Sequence, residues 1–220
     1  MATILNIDTA ISSASVCLSR DAQVLRLALN TSQRDHASWL HLAIKTVLAE
    51  VGLSSKDLEA IGVTSGPGSY TGLRVGLSAA KGMCYALNIP MISLNTLEVM
   101  AHAVKNEEAD FFCPFIDARR MEVFMAVYNK KMEAIISPCA MIIERNSFDS
   151  LLTLGKILFT GNGTEKVEKI VSHPNAMYKK SITTAADMIE LSVNKFVEKK
   201  FANTAYTEPF YIKEFYSPAR

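Results

Sequence analysis

The chain has 220 residues, enough for one large domain or two of about 110. With 49% hydrophobic and 20% charged residues it has an ordinary globular balance, which excludes a disordered or fibrous chain. A net charge of +1, from 23 basic and 22 acidic side chains, excludes a protein that grips nucleic acid alone through a concentrated basic surface, so any RNA contact is expected to be minor or shared with a partner.

Residues 2–7, 13–18 and 24–29 read as strands separated by turn residues. A helix is expected over 33–50, where Ala37, Leu40, Ile44, Val47, Leu48 and Val51 recur at helical spacing and should face the core. A short strand at 60–64 runs into the glycine-rich stretch SGPGSYTG of residues 65–72. A second helix follows over 71–87, then a strand at 90–94 and a third helix at 97–104. Three strands joined by tight turns favour an antiparallel meander, whereas the later crossovers require parallel pairing. The first half is therefore expected to be a mixed five-stranded sheet with helices on its faces.

The second half begins the same way, with strand-like runs at 111–116, 123–128, 134–143 and 157–160, the last ending in GNG. A helix is expected over 185–200, with Met188, Leu191, Phe196 and Val197 on one side. The polar stretch 105–110 marks the expected boundary between two related subdomains, 1–106 and 107–220. The aromatic, proline-punctuated tail 201–220 is expected to lie extended on a surface. Residues 82–97 contain Pro90 and several polar side chains and are not expected to span a bilayer. The start MATILNID lacks a basic n-region and a long apolar core. A soluble, cytoplasmic protein is the resulting expectation.

SGPGSYTG places glycines just before a helix, where exposed backbone amides can cradle an anion. Its spacing matches neither GxGxxG, which would need glycine at Thr71, nor GxxxxGK[ST], nor the GxSxG elbow, because Ser69 lacks flanking glycines. A tight strand-to-helix turn is the competing reading. Within the following helix Gly72, Gly76, Ala80 and Cys84 recur every four residues as a ridge of small side chains, beside a polar stripe of Arg74, Ser78, Lys81 and Tyr85. Each helical glycine costs about 0.8–1 kcal/mol relative to alanine, which implies that another backbone approaches closely. That neighbour is either the chain's own sheet or a helix of a partner. Trp39 and Leu42 sit off the core stripe of the first helix and favour a partner.

Asp8-Thr9 follows the first strand, where the first phosphate loop of actin-like ATPases carries an acidic residue, and Asp117 of IDARR is its counterpart in the second half. Arg119 and Arg120 stand where a phosphate cradle needs small residues, which makes this a degenerate nucleotide site. Gly161 and Gly163 are either a residual adenosine contact or a plain turn. No metal site is expected. His36 and His41 are five apart, about 140° around a helix, and His102 and His173 have no partner in sequence. None of the cysteines, Cys17, Cys84, Cys113 and Cys139, lies in CxxC spacing, so buried thiols are expected instead of zinc or redox chemistry.

The segments ILNIDTAISSASVCL, SGPGSYTGLRVGLSAAKGMCYAL and IDARRMEVFMAVY, in this order, resemble the TsaB (YeaZ) family, and PFYIK approximates that family's proline–tyrosine ending. The resemblance implies an actin-like fold of two related subdomains. It implies a non-catalytic scaffold, without tightly bound cofactor and with ATP or ADP only at the level of the complex. The partners implied are a catalytic TsaD-type paralogue and a TsaE-type ATPase, with tRNA engaged indirectly, no membrane, and homodimers through the same helices. The activity implied for the complex is transfer of threonylcarbamoyl from its adenylate to the adenosine beside the anticodon. By position the implied interface residues are His36, Trp39 and Leu40 on the first helix and Arg74, Gly76, Leu77, Ala80 and Lys81 on the second. The rival readings are an active actin-like ATPase or kinase, and a metallopeptidase-like protein.

Overall fold

The computed structural model describes residues 2–32, 35–118 and 122–213. They divide into two compact units, Met1–Val99 with Thr183–Phe210, and Met100–Ile182 with Tyr211–Arg220.

The first unit is built on a sheet of β1 (Thr3–Asp8), β2 (Ala14–Arg20), β3 (Gln23–Asn30), β4 (Ala60–Gly66) and β5 (Met91–Asn95), in the order β3-β2-β1-β4-β5. β1, β2 and β3 form the expected antiparallel meander, and β4 and β5 add in parallel. The crossovers are made by α1 (His36–Glu50) and α2 (Tyr70–Leu87). Side chains alternate across a strand, so Leu5 and Ile7 of β1 face one way and Ile4, Asn6 and Asp8 the other. The first face packs with Leu40, Ala43, Ile44, Val47 and Leu48 of α1 and Leu77, Ala80 and Cys84 of α2. Ala37, expected in that stripe, is exposed instead. α2 starts where the Ser69 side chain accepts a hydrogen bond from the Gly72 amide, and it stops where Asn88 turns left-handed.

The second face of this sheet is covered from far along the chain. A 3-10 turn over Ala185–Met188 runs into α6 (Ile189–Val197), and Ala185, Met188, Ile189 and Leu191 pack on Ile4, Cys17, Ala60, Ile92 and Leu94. Thr184 and Asp187 cap the turn reciprocally. This overturns the expected single division at 106/107. With both faces apolar, the sheet needs a second layer, and the residues supplying it lie in what the sequence reads as the second subdomain. α3 (Thr96–His102) follows β5 and ends two residues short of the expected helix.

The second unit repeats the topology with β6 (Phe111–Asp117), β7 (Glu122–Asn129), β8 (Ala134–Ile142), β9 (Ile157–Gly161) and β10 (Ala176–Lys179), ordered β10-β9-β6-β7-β8. Pairing is again antiparallel through the first three strands and parallel beyond. β10, α4 (Asp149–Leu152) and α5 (Thr164–Glu168) are too short to give a periodic signal and are absent from the sequence reading. The core gathers Phe115, Phe148 and Phe159, with Tyr178 stacked on Phe159 at 5.3 Å between ring centroids. All four thiols are free, and burial pushes those of Cys17 and Cys84 up to about 12 and about 11. No helix among the described residues is long and apolar enough to cross a membrane.

Candidate partner-binding surface

α1 and α2 lie side by side on one face of the first sheet, and between their outward sides runs a groove of ≈ 590 Å³. α1 contributes Ala37 and His41. α2 contributes Arg74, Ser78, Gly82 and Ala86, spaced by four residues and so on one side of the helix, together with Val75, Ala79 and Met83. Small side chains make the groove, and Met83 gives its floor an adaptable apolar surface. At one end the Arg74 guanidinium sits 3.9 Å from the centroid of the Tyr70 ring, a cation–π contact that leaves both side chains exposed. Leu42, on α1, is 65% exposed.

The residues expected at an interface separate into two sets. His36, Trp39 and Arg74 are at least partly exposed, and burial holds the His36 imidazole below its ordinary pKa while Asp35 pulls it upward. Leu40, Leu77 and Ala80 are buried in the chain's own core, and Gly76 packs on the Thr9 side chain of the same unit. These four are corrected to supports of the helices: the glycine and alanine ridge lets α2 approach its own β1–β2 turn, not a foreign helix. Lys81 does neither job. Its ammonium donates to the carbonyls of Ala205 (3.3 Å) and Thr207 (2.9 Å).

The loops that would bind nucleotide are filled from within each unit. In the first, Asp8 Oδ1 accepts from the Ala10 amide (3.0 Å) and the Thr64 hydroxyl (2.8 Å), and Thr9 Oγ1 donates to Gly72 O (2.7 Å). The Ser69 amide donates to Ala10 O (2.6 Å), and a side-chain carbon at Gly68 or Gly72 would meet the carbonyls of Ala10 or Thr9. Gly68 and Gly72 of SGPGSYTG thus admit the chain's own turn. Burial raises the Asp8 pKa, with a further push from Asp187. In the second unit Asp117 Oδ1 pairs with Lys166 Nζ at 2.6 Å, and its amide donates to the Asn162 side chain at 2.9 Å. Gly161 adopts φ 106° against the Phe115 carbonyl, and Gly163 caps α5, both as parts of a turn. Arg119 lies outside the described residues. Among the described residues no group of three or more His, Cys, Asp or Glu is placed to hold a metal ion.

Sequence reading named Arg74 in the groove but missed Ala37, His41, Gly82, Met83 and Ala86. Extending the spacing of four from Arg74 and Ser78 to Gly82 and Ala86 would have found two of them. For His41 there was no signal beyond its place on an amphipathic helix.

Comparison with known proteins gives a consistent result. Residues 30–213 match the family model described as TsaD, tRNA N6-adenosine threonylcarbamoyltransferase. The Escherichia coli K12 protein named tRNA threonylcarbamoyladenosine biosynthesis protein TsaB is 28% identical over 223 residues, spanning 96% of this chain and 94% of that protein. A Pseudomonas aeruginosa crystal structure, described as an uncharacterized protein with similarity to peptidase YEAZ, superposes with a TM-score of 0.86 at 25% identity over 97% of this chain and 100% of its own. YeaZ from Pseudomonas aeruginosa superposes with a TM-score of 0.83 at 26% identity, covering 96% of this chain and 100% of its own. With the family model covering most of the chain, and TsaB and YeaZ relatives matching it nearly end to end in sequence and in the two-sheet actin-like fold, the chain belongs to the family that this model describes and, within it, to the TsaB (YeaZ) proteins.

Proposed function

We propose that this chain is a non-catalytic scaffold or activator of tRNA threonylcarbamoyladenosine biosynthesis, acting in the cytoplasm. Its TsaB-named relatives support a role in that biosynthesis. In this reading a larger, TsaD-type paralogue carries out the transfer of threonylcarbamoyl from its adenylate to the adenosine beside the anticodon, in tRNAs reading codons that begin with A. This chain docks onto that paralogue through the outward sides of α1 and α2, a TsaE-type ATPase completes the assembly, and tRNA is engaged by the complex. Alone, the chain pairs with a second copy through the same helices.

The observation that carries the reading is a contrast within the first unit. Its glycine-rich loop is packed at Gly68 and Gly72 against the backbone of Ala10 and Thr9, while the α1–α2 face stays open, largely apolar and lined by small residues. Transfer chemistry needs an anion cradle or an acid–base pair within hydrogen-bond reach of substrate. Asp8 is buried and engaged, and Asp117 is neutralised by Lys166. No comparable observation favours an ATPase, a kinase or a peptidase.

The test is reconstituted threonylcarbamoylation of tRNA with the host's other subunits, run with this chain omitted, added, or supplied by itself. Product is expected only when this chain and the catalytic paralogue are both present. Product from this chain alone, or undiminished product without it, would overturn the reading.

A further inference from the structure

Residues 202–210 form no helix or strand among themselves, yet they are tied to the first unit at three places. The Ala202 amide donates to Met91 O on β5 (2.8 Å), and the Phe210 amide donates to Ser65 O near the end of β4 (2.6 Å). Between these ends Lys81 Nζ, on α2, donates to the carbonyls of Ala205 and Thr207. The intervening residues wrap on Asn203. Its Oδ1 accepts from the amides of Ala205 and Tyr206, and its carbonyl accepts from the amide and hydroxyl of Thr207. That turn presents two carbonyls to one ammonium and leaves Tyr206, between them, 83% exposed.

Hydrogen bonds to a charged donor are stronger than neutral ones. Of the three ties only Lys81 uses a side chain, so it alone can be removed without altering the backbone. Lys81 stands next to Gly82 and one turn from Ser78, both groove residues. One helix thus carries the groove wall on one side and the strap's anchor on another.

We infer that Lys81 is a positioning residue: it latches the strap 202–210 onto α2, and the strap, fixed to β4 and β5 at its ends, holds α2 in the setting the α1–α2 groove requires. Lys81 acts on partner binding without touching the partner. The inference rests on the reading that the groove receives the catalytic paralogue.

The test combines amide hydrogen exchange on the free full-length chain with calorimetric binding to the catalytic paralogue from the same organism. Lys81→Met keeps the aliphatic stem and removes the charge. It is expected to speed exchange at Ala205, Tyr206, Thr207 and Phe210 about tenfold and to weaken binding by a similar factor, with cooperative melting retained. Asn203→Ala loosens the strap from its own side and should reproduce both changes, even if Lys81→Met does not fold. Lys81→Arg should restore most of both. Unchanged exchange in Lys81→Met and Asn203→Ala would overturn the latch. Faster exchange with unchanged affinity would overturn its coupling to the groove. Lost affinity in Lys81→Met but not in Asn203→Ala would show direct contact with the partner, and would also overturn it. Failure of the underlying reading is separately visible: Ser78→Trp, which fills the groove, would then leave affinity unchanged as well.

Discussion

Gly66 shows how one residue can be fixed by two independent constraints. Its φ of 121° is a conformation that L side chains rarely adopt, and a side-chain carbon there would meet the Phe210 carbonyl. Gly66→Ala is therefore expected to cost roughly 2 kcal/mol or more, read as a lower urea midpoint with an unchanged slope. Asp8 is a different case, a buried carboxylate whose hydrogen bonds do not offset its desolvation. Because burial raises its folded pKa, the folded chain holds this proton to higher pH than the unfolded chain does. Stability therefore falls as pH rises from the ordinary aspartate value through the raised folded value. Asp8→Asn should remove that loss: the variant is expected to be the more stable form at about pH 7, with the difference closing towards about pH 4. Urea midpoints at the two pH values would check it. SGPGSYTG is visible as glycine-dependent, but the groups that approach its glycines, the Phe210 carbonyl at Gly66 and the Thr9–Ala10 backbone at Gly68 and Gly72, lie more than fifty residues away in sequence and arrive only in the folded unit.

At the scale of elements, α2 carries two faces with opposite duties. Gly72, Gly76 and Ala80 pack inward, so Gly76→Leu is expected to damage the fold before it reports on any partner. A cleaner probe is Ser78→Trp on the exposed side. It should leave stability within about 0.5 kcal/mol and weaken binding to the catalytic paralogue at least about tenfold, measured by melting and calorimetry on the same sample. In the second unit β9 is the element on which the core depends. Phe159 lies 5.6 Å from the Phe115 ring, 5.1 Å from Phe148 and 5.3 Å from Tyr178. Phe159→Ala should cost about 3–5 kcal/mol by chemical denaturation. The long helices and most strands were legible because their apolar periodicity extends over many residues. β10, at four residues, is too short for that, and its identity comes from parallel pairing with β9.

Across the whole molecule the same five-strand topology occurs twice, while the sequence halves carry no residue-level repeat that would announce it. The chain does not divide into two continuous halves, although the topology repeats once in each. The turn 185–188 and α6 return to the first unit, where Met188, Ile189 and Leu191 are each worth about 1.5–3 kcal/mol of burial, together a large part of the 5–15 kcal/mol that stabilises a typical domain. Truncation after Ile182 is accordingly expected to unfold the first unit, visible as loss of its amide protection.

The sequence by itself determined the meander-plus-crossover order of the first half, the strands that open the second, the long helices and the family resemblance, since these rest on local periodicity and contiguous motifs. Tertiary structure decided which face of α2 is free, what fills the glycine-rich loop, where Lys81 reaches and which sheet α6 covers. Each depends on which distant backbone or side chain arrives at a given surface, and that follows from packing both faces of a sheet, not from any run of neighbouring residues.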